Sequence, residues 1–304
     1  MINQFLKKEK INFEENVNLS CFSYFKTGGN ANLIIYPNSE NQIQQLIFFL
    51  KKHKLKYKVI GFTSNILFLD EYEYGLFISL ERIAKIIFDE NSQIINVTAG
   101  YSLGRFVDFC VDKGISGFEC LEGIPGTLGG ALRMNAGAMG WEIFDMVEWV
   151  KFLMPDGKVR QIQADELEVG YRYCREAYDG IALRAKLRGE GKAQHLEIRK
   201  LIDQMSDKRR KHQPQQASSG CVFRNPENHP AGWLIDQAGL KGEKVGGAGV
   251  SEIHGNFIVN HGGATSEQVI ELIQRVKKRV KDSQGVILEP EVNLLGESWN
   301  QYLS

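Results

Sequence analysis

Between Gly117 and Glu142 the chain reads GFECLEGIPGTLGGALRMNAGAMGWE, with glycines at 123, 126, 129, 130, 137 and 140 and a proline at 125. So dense a run of glycine costs chain entropy on folding. It fits a place where backbone must turn tightly, or where several main-chain N–H groups must approach a ligand such as a pyrophosphate. On spacing alone two readings stand side by side: a set of tight turns in a β-rich protein, or a phosphate cradle.

The flanking sequence supplies mixed elements. Ile43, Leu46, Ile47 and Leu50 recur at helical spacing within 41–54. YKVIGF (Tyr57–Phe62) reads as a short buried strand, and LFISL (Leu76–Leu80) and QIINVTAG (Gln93–Gly100) as further β-rich runs. Leu103 to Lys113 is amphipathic and stops at Gly114. VEWVKFLMPDGKVRQI holds two β runs joined by Pro155-Asp156-Gly157, a strong turn signal. A charged helix is expected from about Ala193 to His212, linking to a smaller domain, and another over Ser266–Asp282 with Ser266 as its cap. No GxGxxG follows the first strand, so the pattern points to an α+β enzyme rather than a doubly wound parallel sheet.

Composition narrows the function classes. The chain has 304 residues, enough for two or three domains. Lys plus Arg and Asp plus Glu both number 37, which argues against a dedicated nucleic-acid binder but leaves room for a local basic pocket. The five cysteines (Cys21, Cys110, Cys120, Cys174, Cys221) are scattered without a CxxC, so neither a disulfide framework nor a zinc site is expected. No HExxH or histidine spacing suggests a metal. The N-terminus lacks an apolar run suited to a signal peptide, and no window reaches the roughly 18 apolar residues of a membrane span. A reducing cytoplasm is the expected setting.

The glycine-rich stretch EGIPGTLGGALRMNAGAMG resembles the flavin-binding signature of the UDP-N-acetylenolpyruvoylglucosamine reductase family. The resemblance continues in order through SYFKTGGNANLIIYP, ELEVGYRYC, SSGCVFRNP, AGWLIDQAGLKG, GGAGVSEIHGNFIVN and LEPEVNLLG, over nearly the whole chain and at the length of the shorter form of the family. It implies an α+β fold in which two domains hold FAD in the vanillyl-alcohol-oxidase (PCMH) manner and a C-terminal α+β domain binds substrate. The expected division is 1–75 and 76–192 for the flavin-holding pair and 193–292 for the substrate domain, with the tail, about 293–304, returning to the first. It also implies that NADPH reduces FAD, and that hydride then passes to the enolpyruvyl group of a UDP-sugar in peptidoglycan precursor synthesis. A monomer with no nucleic-acid, membrane or metal partner is expected.

That reaction piles charge on a carboxylate conjugated to the reacting double bond and then needs a proton at the adjacent carbon. By resemblance, Arg172 is the carboxylate clamp, with Arg175 as its nearby competitor. Glu291 is the catalytic glutamate, with Glu289 as competitor two positions away. Cys221 falls where most of the family has a proton-donating serine; a free thiol, with a pKa of about 8.5, can fill that role. Its bland alternative is an inert buried cysteine.

FAD is expected on Gly61, Thr63, Ser64 and Asn65, on Gly123, Ile124, Pro125, Gly126, Thr127, Gly129 and Gly130, and on Asn135, Gly137 and Ala138. Arg209, Arg210, Arg224, Asn225 and His254 are expected on the UDP-sugar side. Two departures stand out. The family's Gly-x-Gly-Ser-Asn loop here reads GFTSN, with β-branched Thr63 where positive φ would strain it and its hydroxyl able to donate to a phosphate. Met139 and Trp141 stand where Tyr and Gly are frequent. GFTSN, with Cys221 in place of serine, leaves as an alternative a UDP-sugar-binding paralogue without catalysis; a flavoreductase of a related enol ether is a further one.

Overall fold

The computed structural model describes residues 1–138, 140–192 and 195–303. The chain divides into two compact units, Met1–Glu15, Leu33–Phe62 and Gly75–Asp207 in the first, Asn16–Asn32, Thr63–Tyr74 and Lys208–Ser304 in the second.

The first unit is built on two sheets. One has the strand order Asn12–Asn18, Asn30–Tyr36, Tyr74–Ser79, Tyr57–Ile60, and its last pair is parallel with Val59 opposite Ile78. The other is antiparallel throughout: Val159–Gln163, Val147–Leu153, Ile181–Arg188, Ile94–Thr98, Ile86–Asp89. The Pro155-Asp156-Gly157 signal makes the hairpin expected of it. Gly157 sits at φ 86, and the Asp156 carboxylate accepts the Lys158 N–H at 2.9 Å. Helix Glu40–Lys52 starts where Ser39 accepts the Gln42 N–H and buries Ile43, Leu46, Ile47 and Leu50. Helix Leu103–Lys113 ends at Gly114 with φ 67, the left-handed cap that only glycine adopts without strain. These faces share one core with Val97, Val150, Ala185 and Leu187.

The second unit has its own core, in which helix Ser266–Gln284 buries Val269, Ile270, Leu272, Ile273 and Val276 against the three-stranded sheet Lys244–Val245, Ala248–Val250, Ile258–Asn260. A parallel pair joins Ile66–Phe68 to Asn293–Leu295.

Two sequence expectations need correction. The helix at 266 is capped by Thr265, whose hydroxyl accepts the Gln268 N–H, and not by Ser266. Ser266 faces inward, its hydroxyl accepting the Asp70 N–H at 2.9 Å. The strand Tyr57–Ile60 is not buried along its length: it closes one edge of its sheet, and Val59 is 38% exposed. The charged helix spans His195–His212; Ala193, its expected start, lies outside the described residues.

Candidate active site

In the first unit a cleft forms where five chain segments converge. It is lined by Val59 to Gly61, Leu80 and Glu81, Ala99 and Gly100, Thr127, Gly129, Gly130 and Arg133, and Ala177 with Gly180 to Ala182. Several of its glycines stand where a side chain would collide with a neighbouring segment. A Cβ on Gly100 would lie 1.8 Å from the Leu80 carbonyl oxygen, one on Gly61 2.8 Å from Thr127 Oγ1, and one on Gly129 3.0 Å from Ala99 Cβ.

The N–H groups of this loop are largely spoken for. Leu128 donates to Tyr101, Gly129 to Ala99, and Gly130 to the Thr127 hydroxyl. The stretch 128–130 therefore offers a ligand a close, flat surface rather than a set of free donors. Among the described residues the cleft's one cation is Arg133, whose guanidinium stacks 3.7 Å from the Tyr178 ring centroid and donates to the Ala177 carbonyl at 3.0 Å. Apolar walls, a glycine floor and one arginine fit a flat aromatic ligand that carries negative charge. Glu81, Gly100, Arg133 and Gly180 were missed by the sequence reasoning. Gly100, closing the run QIINVTAG, was the signal that could have found them.

Arg172 belongs to the same unit. Gly170 pairs with Tyr173, so Tyr171 and Arg172 form a two-residue hairpin tip, with Arg172 at φ 55. Its guanidinium donates to the Gly137 carbonyl at 3.3 Å. Asn135, fully buried, braces the hairpin by donating to the Gly170 carbonyl at 3.1 Å and to Glu142 at 2.5 Å, and its Oδ1 has no hydrogen-bond partner among the described residues. Arg175, the competitor, is a surface residue paired with Glu168 at 2.8 Å. Gly123 and Pro125 are exposed, while Ile124, Gly126, Gly137 and Ala138 are half-buried. Met139 lies outside the described residues.

In the second unit three segments are laced together. The Val222 carbonyl accepts from Glu291 N at 2.7 Å, Arg224 N donates to the Glu289 carbonyl at 2.8 Å, and Phe223 pairs with Pro290. Asn65 Nδ2 donates to the Glu291 carbonyl at 3.3 Å, and Asn293 donates back to the Asn65 carbonyl through its main-chain N–H at 3.1 Å. Cys221, Glu291 and the loop Thr63-Ser64-Asn65 are thus neighbours. Cys221 and Glu291 are both half-buried, whereas Glu289 is exposed.

Thr63 has φ 58, so it keeps the left-handed backbone that suits glycine, and it is 5% exposed. Its hydroxyl donates to the Phe22 carbonyl at 2.8 Å, which differs from the phosphate donor anticipated from sequence.

Asn225 Oδ1 accepts the Ala231 N–H at 3.0 Å, leaving its amino group as the outward donor. His254 Nδ1 accepts the Asn256 N–H at 3.2 Å, so the neutral ring carries its proton on Nε2. Burial, with Lys241 nearby, pushes the His254 pKa down and favours that neutral form. Arg209 and Arg210 lie on the last turn of helix His195–His212, the first half-buried and the second exposed; Arg224 is half-buried. Among the described residues no group of three His, Cys, Asp or Glu could hold a metal, and no helix is long and apolar enough to cross a membrane.

Comparison with known proteins agrees with these two halves. An FAD binding domain model matches residues 31–163, and a model for the C-terminal domain of UDP-N-acetylenolpyruvoylglucosamine reductase matches 213–295. The reductase of that name from Bacillus velezensis is 38% identical over 281 residues, spanning 91% of this chain and 92% of that protein. The one from Alkaliphilus oremlandii is 40% identical over 276 residues, 90% of each. The crystal structure of the Thermus caldophilus UDP-N-acetylenolpyruvylglucosamine reductase superposes with a TM-score of 0.79 at 32% identity, covering 93% of this chain and 99% of that one. With an α+β fold, a glycine-floored cleft and both halves matched in order, the chain belongs to the UDP-N-acetylenolpyruvoylglucosamine reductase family of FAD-dependent oxidoreductases.

Proposed function

We propose that this protein reduces the enolpyruvyl group of UDP-N-acetylglucosamine enolpyruvate with NADPH, as a cytoplasmic monomer in peptidoglycan precursor synthesis. FAD, when bound, supplies hydride transfer between the nicotinamide and the substrate. The residues of the first-unit cleft, with Gly61, Thr127, Gly129, Gly130 and Arg133, would hold part of it, the arginine meeting negative charge. Ser64 and Asn65 would meet another part. On this reading 1–75 and 76–192 are the flavin-holding subdomains and 193–292 the substrate domain.

The chain's own groups then divide the work. Arg172, permanently charged, takes the substrate carboxylate and offsets the charge that builds there. Glu291 orients the same end of the substrate. Cys221 Sγ gives up the proton that completes reduction at the adjacent carbon. Asn225 and the Nε2–H of His254 serve as neutral donors to the UDP-sugar, and Arg209, Arg210 and Arg224 as cations for its diphosphate.

The observation that carries the reading is the main-chain hydrogen bond from Glu291 to Val222, the residue next to Cys221. The two half-buried groups extend from hydrogen-bonded segments beside the Asn65 loop. The test is a pair of half-reactions on FAD-loaded protein. Cys221→Ala and Glu291→Gln should keep NADPH-driven bleaching of the flavin and lose most reoxidation by substrate, about 10²-fold or more. A Cys221→Ala protein with full turnover would remove the thiol from the chemistry.

The commitment of the Thr63 hydroxyl to the Phe22 carbonyl favours a second reading, a UDP-sugar-binding protein without catalysis. Calorimetric binding of the UDP-sugar by protein that takes up no FAD would select it.

A further inference from the structure

Asn256, in HGNFIVN, is 2% exposed and belongs to no catalytic assignment above. Its Oδ1 accepts the Phe223 N–H at 2.9 Å and its Nδ2 donates to the Phe223 carbonyl at 2.8 Å. Its own main-chain carbonyl accepts the Val222 N–H at 2.9 Å, and the next residue, Phe257, pairs with Cys221. The carboxamide therefore stands in for a neighbouring β-strand along the residues that follow Cys221.

The other edge of this segment explains the need for it. Val222 and Arg224 carry the hydrogen bonds to Glu291 and Glu289, so Phe223 and Pro290 form the pair between them. In such a pair the N–H and C=O of the central residue point the opposite way. Phe223 is buried, and Asn256 takes both groups. Asn256 is in turn locked. Its N–H donates to His254 Nδ1, and a Cβ on Gly255 would lie 2.6 Å from the Gly232 carbonyl oxygen, so the turn is pressed against helix Ala231–Gln237.

We propose that Asn256 is a positioning residue that fixes the Cys221 thiol in register with Glu291; this rests on the reading of Cys221 as proton donor. The Cys221–Phe223 segment is held by Glu291 on one edge and by Asn256 on the other. Losing the carboxamide removes both side-chain bonds to Phe223 and leaves that edge with the Val222–Asn256 main-chain bond and the Cys221–Phe257 pair. A reacting group displaced by about 1 Å can cost about 10²-fold in rate.

The test uses the full-length, FAD-loaded protein and the two half-reactions. Asn256→Ala removes both side-chain bonds; Asn256→Asp keeps an acceptor for the Phe223 N–H but offers nothing to its carbonyl. Both should leave flavin reduction by NADPH within about twofold, slow reoxidation by the enolpyruvyl substrate by about 10–100-fold, and enlarge its solvent deuterium isotope effect. UDP-sugar affinity by calorimetry should stay within about threefold. Asn260→Ala is the matched control. Asn260 lies in the adjoining strand and serves the Phe25 carbonyl and the N–H groups of Gly262 and Ala264. It should lower the melting temperature without slowing reoxidation.

Asn256 variants that reoxidise at the wild-type rate, or that slow only as much as Asn260→Ala, overturn the proposal. If Asn256→Ala does not fold, Asn256→Asp decides by the same criteria, and failure of both to fold while Asn260→Ala folds assigns Asn256 to stability and overturns it. Should Cys221→Ala reoxidise normally, the proton-donor reading falls and takes this one with it. Should Cys221→Ala be slow and the Asn256 variants normal, only the positioning role falls.

Discussion

At the scale of single residues, Thr63 and Cys221 offer the sharpest tests. Thr63 holds φ 58 with a β-branched side chain, which costs about 1–2 kcal/mol. Its hydroxyl bond to the Phe22 carbonyl returns about 1 kcal/mol. Thr63→Gly should therefore be close to neutral, within about 1 kcal/mol. Thr63→Val keeps the strain and strands the carbonyl, and should lose about 1–3 kcal/mol in urea unfolding. A valine variant as stable as the glycine one would show that the Phe22 contact contributes nothing. For Cys221, serine is the informative replacement. A thiol loses its proton in mildly alkaline solution and an alcohol does not. The wild-type rate of substrate reduction should fall on the alkaline side, and the Cys221→Ser profile should be flat there. Identical profiles would mean that another group supplies the proton.

The elements tell which parts of this were legible in advance. Helix Leu103–Lys113 and the Asp156-Gly157 hairpin were readable because local chemistry alone decides them: one left-handed glycine, one Asp-Gly turn. The cap of Ser266–Gln284 was misplaced by one residue because Thr265 and Ser266 are both good caps. The choice is made by Asp70, distant in sequence, whose carboxylate accepts the Ser266 N–H at 2.5 Å and the Gly28 N–H at 2.7 Å. Thr265→Ala should cost about 1 kcal/mol. Asp70→Ala, which leaves two N–H groups without their acceptor, should cost about 2–3 kcal/mol. Equal losses would deny Asp70 its role as a tie.

A second element-level device is Glu40, at the start of helix Glu40–Lys52, which meets Lys151 at 2.8 Å and Arg184 at 2.7 Å on the antiparallel sheet. Burial alone would raise its pKa from 4.5, but hydrogen bonds and charge from Lys151 and Arg184 outweigh it and hold the carboxylate lower. A depressed folded value means that the contribution is complete above 4.5 and is lost as pH falls through the folded value. Glu40→Gln should therefore be less stable than wild type by about 1 kcal/mol at neutral pH, with the gap closing in acid. A gap independent of pH would contradict the ion-pair account.

For the whole molecule, the ordered motifs located the candidate groups, but not what each does for the fold. The glycines at 129 and 130 read as phosphate donors, yet Gly129 and Gly130 give their N–H groups to Ala99 and Thr127. Arg133 and Gly180 became visible only when separated turns converged on one cleft, which no local pattern encodes. Nothing local to Asn256 marks its role, because its carboxamide serves Phe223, far away in sequence. The proposed activity, flavin-dependent reduction of the enolpyruvyl UDP-sugar, is tested by the visible absorbance of purified, FAD-loaded protein. The expected result is a flavin band that NADPH bleaches and that UDP-N-acetylglucosamine enolpyruvate restores. A protein that stays colourless after incubation with FAD, or a bleached band that the substrate leaves unchanged, would contradict it.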